Sequence, residues 1–142
     1  MLESDLIEAS KANYWKSSQS APDAVLLKAE RMIEAVGGRV LAQSKMSGRD
    51  GMAACYLYAF EIGERSYSIT WPILPHHERD TLAAARQACT FIFHEVKAAC
   101  MKAKIIGVKR AFVQFQLIGD GHRTVQDFFY ENDGPLLLGE GN

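Results

Sequence analysis

The hydrophobic period changes twice along this chain, and those changes limit the fold more than any other feature. Val25, Leu26, Ala29, Met32, Ile33 and Val36 recur at i, i+1, i+4, i+7, i+8 and i+11, which is one face of an α-helix. Ahead of them, Ser20-Ala-Pro-Asp23 reads as a capping box, with Ser20 as cap and Pro22 in the first turn. Gly37 and Gly38 supply the left-handed residue that ends the helix. From Arg39 the period drops to two. Residues 39–46, 52–60 and 65–73 read as three strands, joined by a turn at 47–51 and a tight hairpin at 61–64. In the third, Tyr67, Ile69, Trp71 and Ile73 alternate with Ser66, Ser68 and Thr70. The second is apolar on both faces, with Tyr56, Tyr58 and Phe60 on one and Cys55, Leu57 and Ala59 on the other. Such a strand is expected at the centre of its sheet, covered twice by helices or by a partner subunit.

The helical period then returns. Leu82, Ala85, Cys89, Ile92, Phe93, Val96, Cys100, Ala103 and Ile106 repeat at three or four residues for about seven turns. Glu78 and Asp80 suit the positive end of that helix, and Gly107 stops it. The order is helix, three-stranded antiparallel meander, long helix and a small C-terminal unit, an α+β fold. Residues 1–142 read as a single domain. Residues 1–20 form an N-terminal helical extension, with Leu2, Leu6, Ile7 and Ala9 along one side and Tyr14 and Trp15 at its end. Residues 108–118 fit a helical turn through Val108, Phe112 and Phe115, and equally a strand through Ala111, Val113, Phe115 and Leu117. A turn at 119–121, a short helix over 124–130 and a loose acidic tail at 131–142 complete the chain.

Composition narrows the class. Sixteen Lys and Arg against seventeen Asp and Glu leave a net charge of -1, with 48% hydrophobic and 23% charged residues. That balance is too apolar for a disordered chain. No apolar run approaches the roughly 18 residues of a membrane span, so no membrane partner is expected. The acidic start lacks the basic and apolar regions of a signal peptide. Cys55, Cys89 and Cys100 are odd in number, form no CxxC pair and fall on apolar faces. They read as buried free thiols, and reduced thiols without an export signal point to the cytoplasm.

The near-neutral total hides a split. Residues 96–119 carry Lys97, Lys102, Lys104, Lys109 and Arg110 and no acid, a local charge of +5. Residues 120–142 carry Asp120, Asp127, Glu131, Asp133 and Glu140 against Arg123, a local charge of -4. The five basic residues are the candidate nucleic-acid-binding set, able to contact phosphates of a single or double strand. They equally complement the negative end of a helix, and the tail is able to fold back on them. Helix, three antiparallel strands and helix is also the order of double-stranded RNA-binding domains. A β-β-β-α core occurs in strand-annealing proteins. Neither motif is present here, and the analogy is one of fold alone.

Tyr56, Tyr58, Phe60, Tyr67 and Trp71 interleave on the meander and suit base stacking, core packing or a subunit interface forming a homo-oligomer. His76, His77 and Glu78 are adjacent loop residues without the one-face spacing that metal ligation needs, and His94 and His122 are isolated. No GxSxG, GxGxxG, P-loop or HExxH is present, so no catalytic residue, metal ligand or cofactor is assigned.

The second half carries a resemblance. Lys-Ala-Ala-Cys-Met-Lys at 97–102 is followed by Gly107, Phe112, Phe115, the run Gly-Asp-Gly-His-Arg-Thr-Val at 119–125, and Phe128 with Phe129. This resembles a group of small uncharacterised proteins encoded in phages and prophages, over residues 24–130. The chain departs from the pattern in having His122 between Gly121 and Arg123, and in a less acidic 108–111 segment. The resemblance implies a viral setting in a host cytoplasm and brings no established activity. The expectation is a phage-related, non-enzymatic binding protein, either a nucleic-acid-binding accessory or a self-associating interaction module.

Overall fold

A computed structural model of the chain describes residues 1–17, 19–119, 121 and 123–132. It is a mixed α+β fold of the expected order. Helix α1, Pro22–Ala35, begins at a proline whose missing N–H would have had no partner in the first turn anyway. Its cap is Ala21, one residue after the expected Ser20, and Ala21 has no side-chain oxygen to cap with. The apolar stripe behaves as read: Val25, Leu26, Ala29 and Ile33 are buried. Gly38 then sits where a Cβ would lie 2.6 Å from the Glu61 carbonyl and 2.8 Å from Ile33 Cγ2. Only glycine lets the chain leave α1 this close to the sheet.

Strands β1 (Gly38–Met46), β2 (Cys55–Ile62) and β3 (Arg65–Pro72) form an antiparallel meander with β2 in the centre. A two-residue turn at Gly63 and Glu64 sets the β2–β3 register, which places Tyr58 opposite Ile69 and Phe60 opposite Tyr67. A bulge between Val40 and Ala42 shifts the β1–β2 register. Tyr58, Phe60, Ile62, Tyr67 and Ile69 are buried with residues of α1 and the long helix, in one cluster. Tyr58 Oη donates to the Leu26 carbonyl of α1 at 3.2 Å. The opposite face carries Ala42, Ser44, Leu57, Ala59 and Thr70, exposed or half-buried. Of the two covers expected for β2, the helices supply one.

Helix α2, Thr81–Ile106, has 26 residues and spans about 39 Å. Ala85, Cys89, Ile92, Val96 and Cys100 are buried as the stripe predicts, but Leu82 and Ile106, at either end of the helix, are exposed. Gly107, at φ 90°, ends the helix in a conformation that a side chain resists. Residues 108–118 use both of the readings their sequence allows. Helix α3 (Val108–Ala111) and a 3-10 turn come first, then Gln116 bridges to Tyr67 and β4 (Leu117–Ile118) pairs with β5 (Arg123–Thr124). Helix α4, Val125–Asn132, follows. No helix among the described residues is long and apolar enough to cross a membrane.

The N-terminal residues differ from expectation. They form two single 3-10 turns, Glu3–Asp5 and Ala9–Lys11, in place of an amphipathic helix. The reason is where their backbone groups bond. Glu3 N–H donates to the Gly51 carbonyl, Ala9 N–H to the Pro75 carbonyl, and Leu2 bridges to Met52. Gln87 of α2, 1% exposed, donates from Nε2 to the carbonyls of Ala9 and Asn13, each at 2.9 Å. The segment is therefore a strap tied across the start of α2.

Candidate functional site

All five basic residues singled out in the sequence are exposed. Lys97, Lys102 and Lys104 stand on the last turns of α2, and Lys109 and Arg110 on α3 immediately beyond Gly107. Lys97, Met101 and Lys104 follow one another at i, i+4 and i+7 on one face, whereas Lys102 lies about 140° round the helix from Lys97. The cations thus wrap the end of the helix and do not form a single row. Among the described residues, none of the five is within ion-pair distance of a carboxylate. Lys104 lies in the last turn, where it also complements the helix dipole. Met101, Ile105 and Ile106 are exposed between the cations, Ile105 to 84%.

The described part of the acidic segment does not neutralise this end. Asp127 Oδ2 accepts from Thr124 N–H, and Thr124 Oγ1 accepts from Asp127 N–H, both at 3.1 Å. That reciprocal pair is the capping box of α4, and it explains why a Thr stands just before the helix with an Asp three residues on. Glu131 pairs with Arg123 one turn further along. Both acids are committed within their own unit. Asp120, His122, Asp133 and Glu140 lie outside the described residues, as does most of the 131–142 tail.

Of the three readings open for the meander aromatics, core packing holds for most of them. Tyr58, Phe60 and Tyr67 are fully buried, Phe60 and Tyr67 stacked at 5.5 Å with the Phe112 ring edge-on to Phe60 at 5.7 Å. Burial pushes the Tyr58 hydroxyl well above its ordinary value and that of Tyr56 to about 12. Tyr56 and Trp71 are half-buried and join the main cluster to a smaller one around Ile73, Ala84 and Ala88. Sequence periodicity could not distinguish these roles, because it does not say which face the helices cover. The exposed aromatics lie instead on α4: Phe128, Phe129 and Tyr130, the last 83% exposed. Helix α4 packs on the 3-10 turn that follows α3 and on β5.

His76, His77 and Glu78 are exposed at the start of a 3-10 turn, with His76 Nδ1 2.7 Å from the Leu74 carbonyl. They line neither of the two clefts described below, and no group of three His, Cys, Asp or Glu among the described residues is placed to hold a metal ion. Cys89 and Cys100 are buried and Cys55 is half-buried. Desolvation raises the Cys89 thiol to about 12, so it stays protonated and packs as a small apolar group.

An open cleft of about 540 Å³ separates the β2–β3 turn from β4, between Arg65, Ser66, Gln116 and Ile118. A smaller one, about 240 Å³, lies between the strap and the start of α2, lined by Tyr14, Lys16, Gln19, Ala83 and Arg86. Nothing in the sequence pattern pointed to it, because Lys16 and Arg86 are far apart along the chain. Set against known proteins, the chain matches no family model, no curated protein and no solved structure.

Proposed function

We propose that the chain is a phage-related, non-enzymatic binding protein that holds nucleic-acid phosphates along the end of α2 and along α3. One observation carries the reading. Lys97, Lys102, Lys104, Lys109 and Arg110 are all exposed and lack a carboxylate partner among the described residues, while Asp127 and Glu131 are engaged elsewhere. Five unpaired cations in two neighbouring helical segments repel one another, and a polyanion relieves that repulsion while releasing its counterions. The exposed rings of Phe129 and Tyr130 add a stacking surface suited to unpaired bases. The resemblance of residues 24–130 to phage and prophage proteins supports a viral setting in a host cytoplasm, and the element order supports a nucleic-acid partner at the level of fold alone.

The test is the affinity for a single-stranded and a double-stranded oligonucleotide at about 50 mM and 200 mM salt, where contacts of this kind weaken steeply. Binding that disappears on charge reversal at Lys102 and Lys104 supports the reading. Absence of binding at the lower salt overturns it.

A second reading rests on the other side of the sheet. The sheet face opposite the buried aromatics carries Ala42, Ser44, Leu57, Ala59 and Thr70, with the Arg39–Glu61 ion pair at one end, and this small-residue surface suits a homo-oligomer formed through the meander. Light scattering at micromolar concentration tests it, and a strict monomer removes it.

A further inference from the structure

We propose that the cleft between the strap and the first turns of α2 binds a phosphate group, held by Arg86 and Lys16. The cleft is built from packing that its neighbours enforce. Gln87 fixes the strap through the Ala9 and Asn13 carbonyls. Tyr14 stacks on His94 at 4.7 Å and meets Phe91 edge-on at 4.9 Å. Tyr14 and Lys16 both take left-handed backbone conformations, φ 67° and 54°, which bulky residues keep only where the surroundings impose them. Lys16 is anchored by Asp80 at 3.1 Å and keeps further ammonium hydrogens for another acceptor.

Arg86 gives the cleft its chemistry. Its Nε is enclosed and, among the described residues, has no hydrogen-bond partner. Nε itself is shut off from water, so an oxyanion entering the cleft would meet the outer N–H groups of the same guanidinium, whose charge makes such hydrogen bonds strong. Among the described residues the lining brings Arg86, Lys16, Gln19 and Tyr14 and no carboxylate of its own, Asp80 standing behind Lys16. Ala83 and Arg86 lie in the first two turns of a 26-residue helix, whose positive end adds to the same field. A tetrahedral dianion matches two cations and a planar guanidinium fork, and about 240 Å³ accommodates the phosphate with part of the group it esterifies.

Inorganic phosphate is the probe. Its phosphorus NMR line is expected to broaden in the presence of the full chain, and the melting temperature to rise by about 3 °C over chloride of equal ionic strength. Arg86→Met should abolish both responses. Arg86→Lys, which keeps the charge and loses the fork, should weaken them and guards against a folding defect in the first variant. Lys102→Glu with Lys104→Glu should leave both intact, which separates this site from the proposed interface. Competition by a 5′-phosphorylated oligonucleotide beyond its hydroxyl counterpart assigns the phosphate to a strand end. Competition by neither strand assigns it to a small phosphorylated compound. No broadening by the wild-type chain, or the same broadening by Arg86→Met, overturns the proposal.

Discussion

The two ends of α2 carry cations in opposite ways. At its start, Lys16 is paired to Asp80 and Arg86 is half-buried against a strap that Gln87 ties down. At its end, Lys97, Lys102 and Lys104 stand in water with no carboxylate near them among the described residues. Charge at the start is part of the packing, and its removal changes the fold's stability. Charge at the end has no such structural role, so its removal should register in binding alone. Exposed ion pairs and lone surface charges are worth little to folding.

The sharpest way to break this contrast is double charge reversal at the far end. Lys102→Glu with Lys104→Glu should reduce oligonucleotide affinity about 100-fold at low salt, roughly 2.7 kcal/mol, while stability moves by less than about 0.5 kcal/mol. A large loss of stability in that variant would mean the lysines do structural work and the contrast is false. At the near end, Gln87→Ala removes the amide that bonds the Ala9 and Asn13 carbonyls, at a cost of about 1–3 kcal/mol. Hydrogen exchange should then rise at Ala9, Lys11 and Ala12, whose N–H groups bond within or beneath the strap. Unchanged protection at those amides would show that the strap is held by something else.

A smaller effect distinguishes stacking from charge. Tyr130→Ala should weaken single-stranded binding about tenfold, with little change in its salt dependence. Equal weakening for a duplex would argue against stacking on that ring. A separate effect, on stability alone, belongs to Cys89 of α2 and its neighbour Tyr56 of β2. Burial raises the Cys89 thiol from 9.0 to about 12, and the Tyr56 hydroxyl from 10.0 to about 12. Both folded values lie above the unfolded ones, so the native chain holds these protons longer than the unfolded chain does. Their contribution is complete below about pH 9 and declines as pH rises toward about 12. Urea midpoints at pH 7, 8.5 and 10.5 should agree for the first two and fall for the third, with Cys89→Val softening the fall.

Much of this contrast was written into local pattern, and some of it was not. The stripe of α1, the three strands and the α2 stripe from Ala85 to Cys100 follow from period alone, because each buries one face against a single neighbouring layer. The run of cations at the end of α2 was legible, because Lys97, Lys102 and Lys104 fall off its apolar stripe, but their exposure was not, since local pattern does not say whether the acidic tail folds over them. The strap was not legible, since the carbonyls of Ala9 and Asn13 find their donor in Gln87, more than 70 residues along the chain. A polar residue at a buried helix position was the available signal, and it carried no direction. The aromatic set divided for a physical reason too. Tyr58, Phe60 and Tyr67 face the helices, while the exposed rings sit on α4, whose eight residues are too few for a decisive periodic pattern.

The most direct test of the account is the slope of log affinity against log salt for a single-stranded oligonucleotide. If Lys97, Lys102, Lys104, Lys109 and Arg110 each neutralise one phosphate, the slope should be about -3.5, and Lys102→Glu with Lys104→Glu should bring it to about -2 or shallower. A slope near zero, or one that the double reversal leaves unchanged, would contradict the assignment of the α2–α3 end as the nucleic-acid interface.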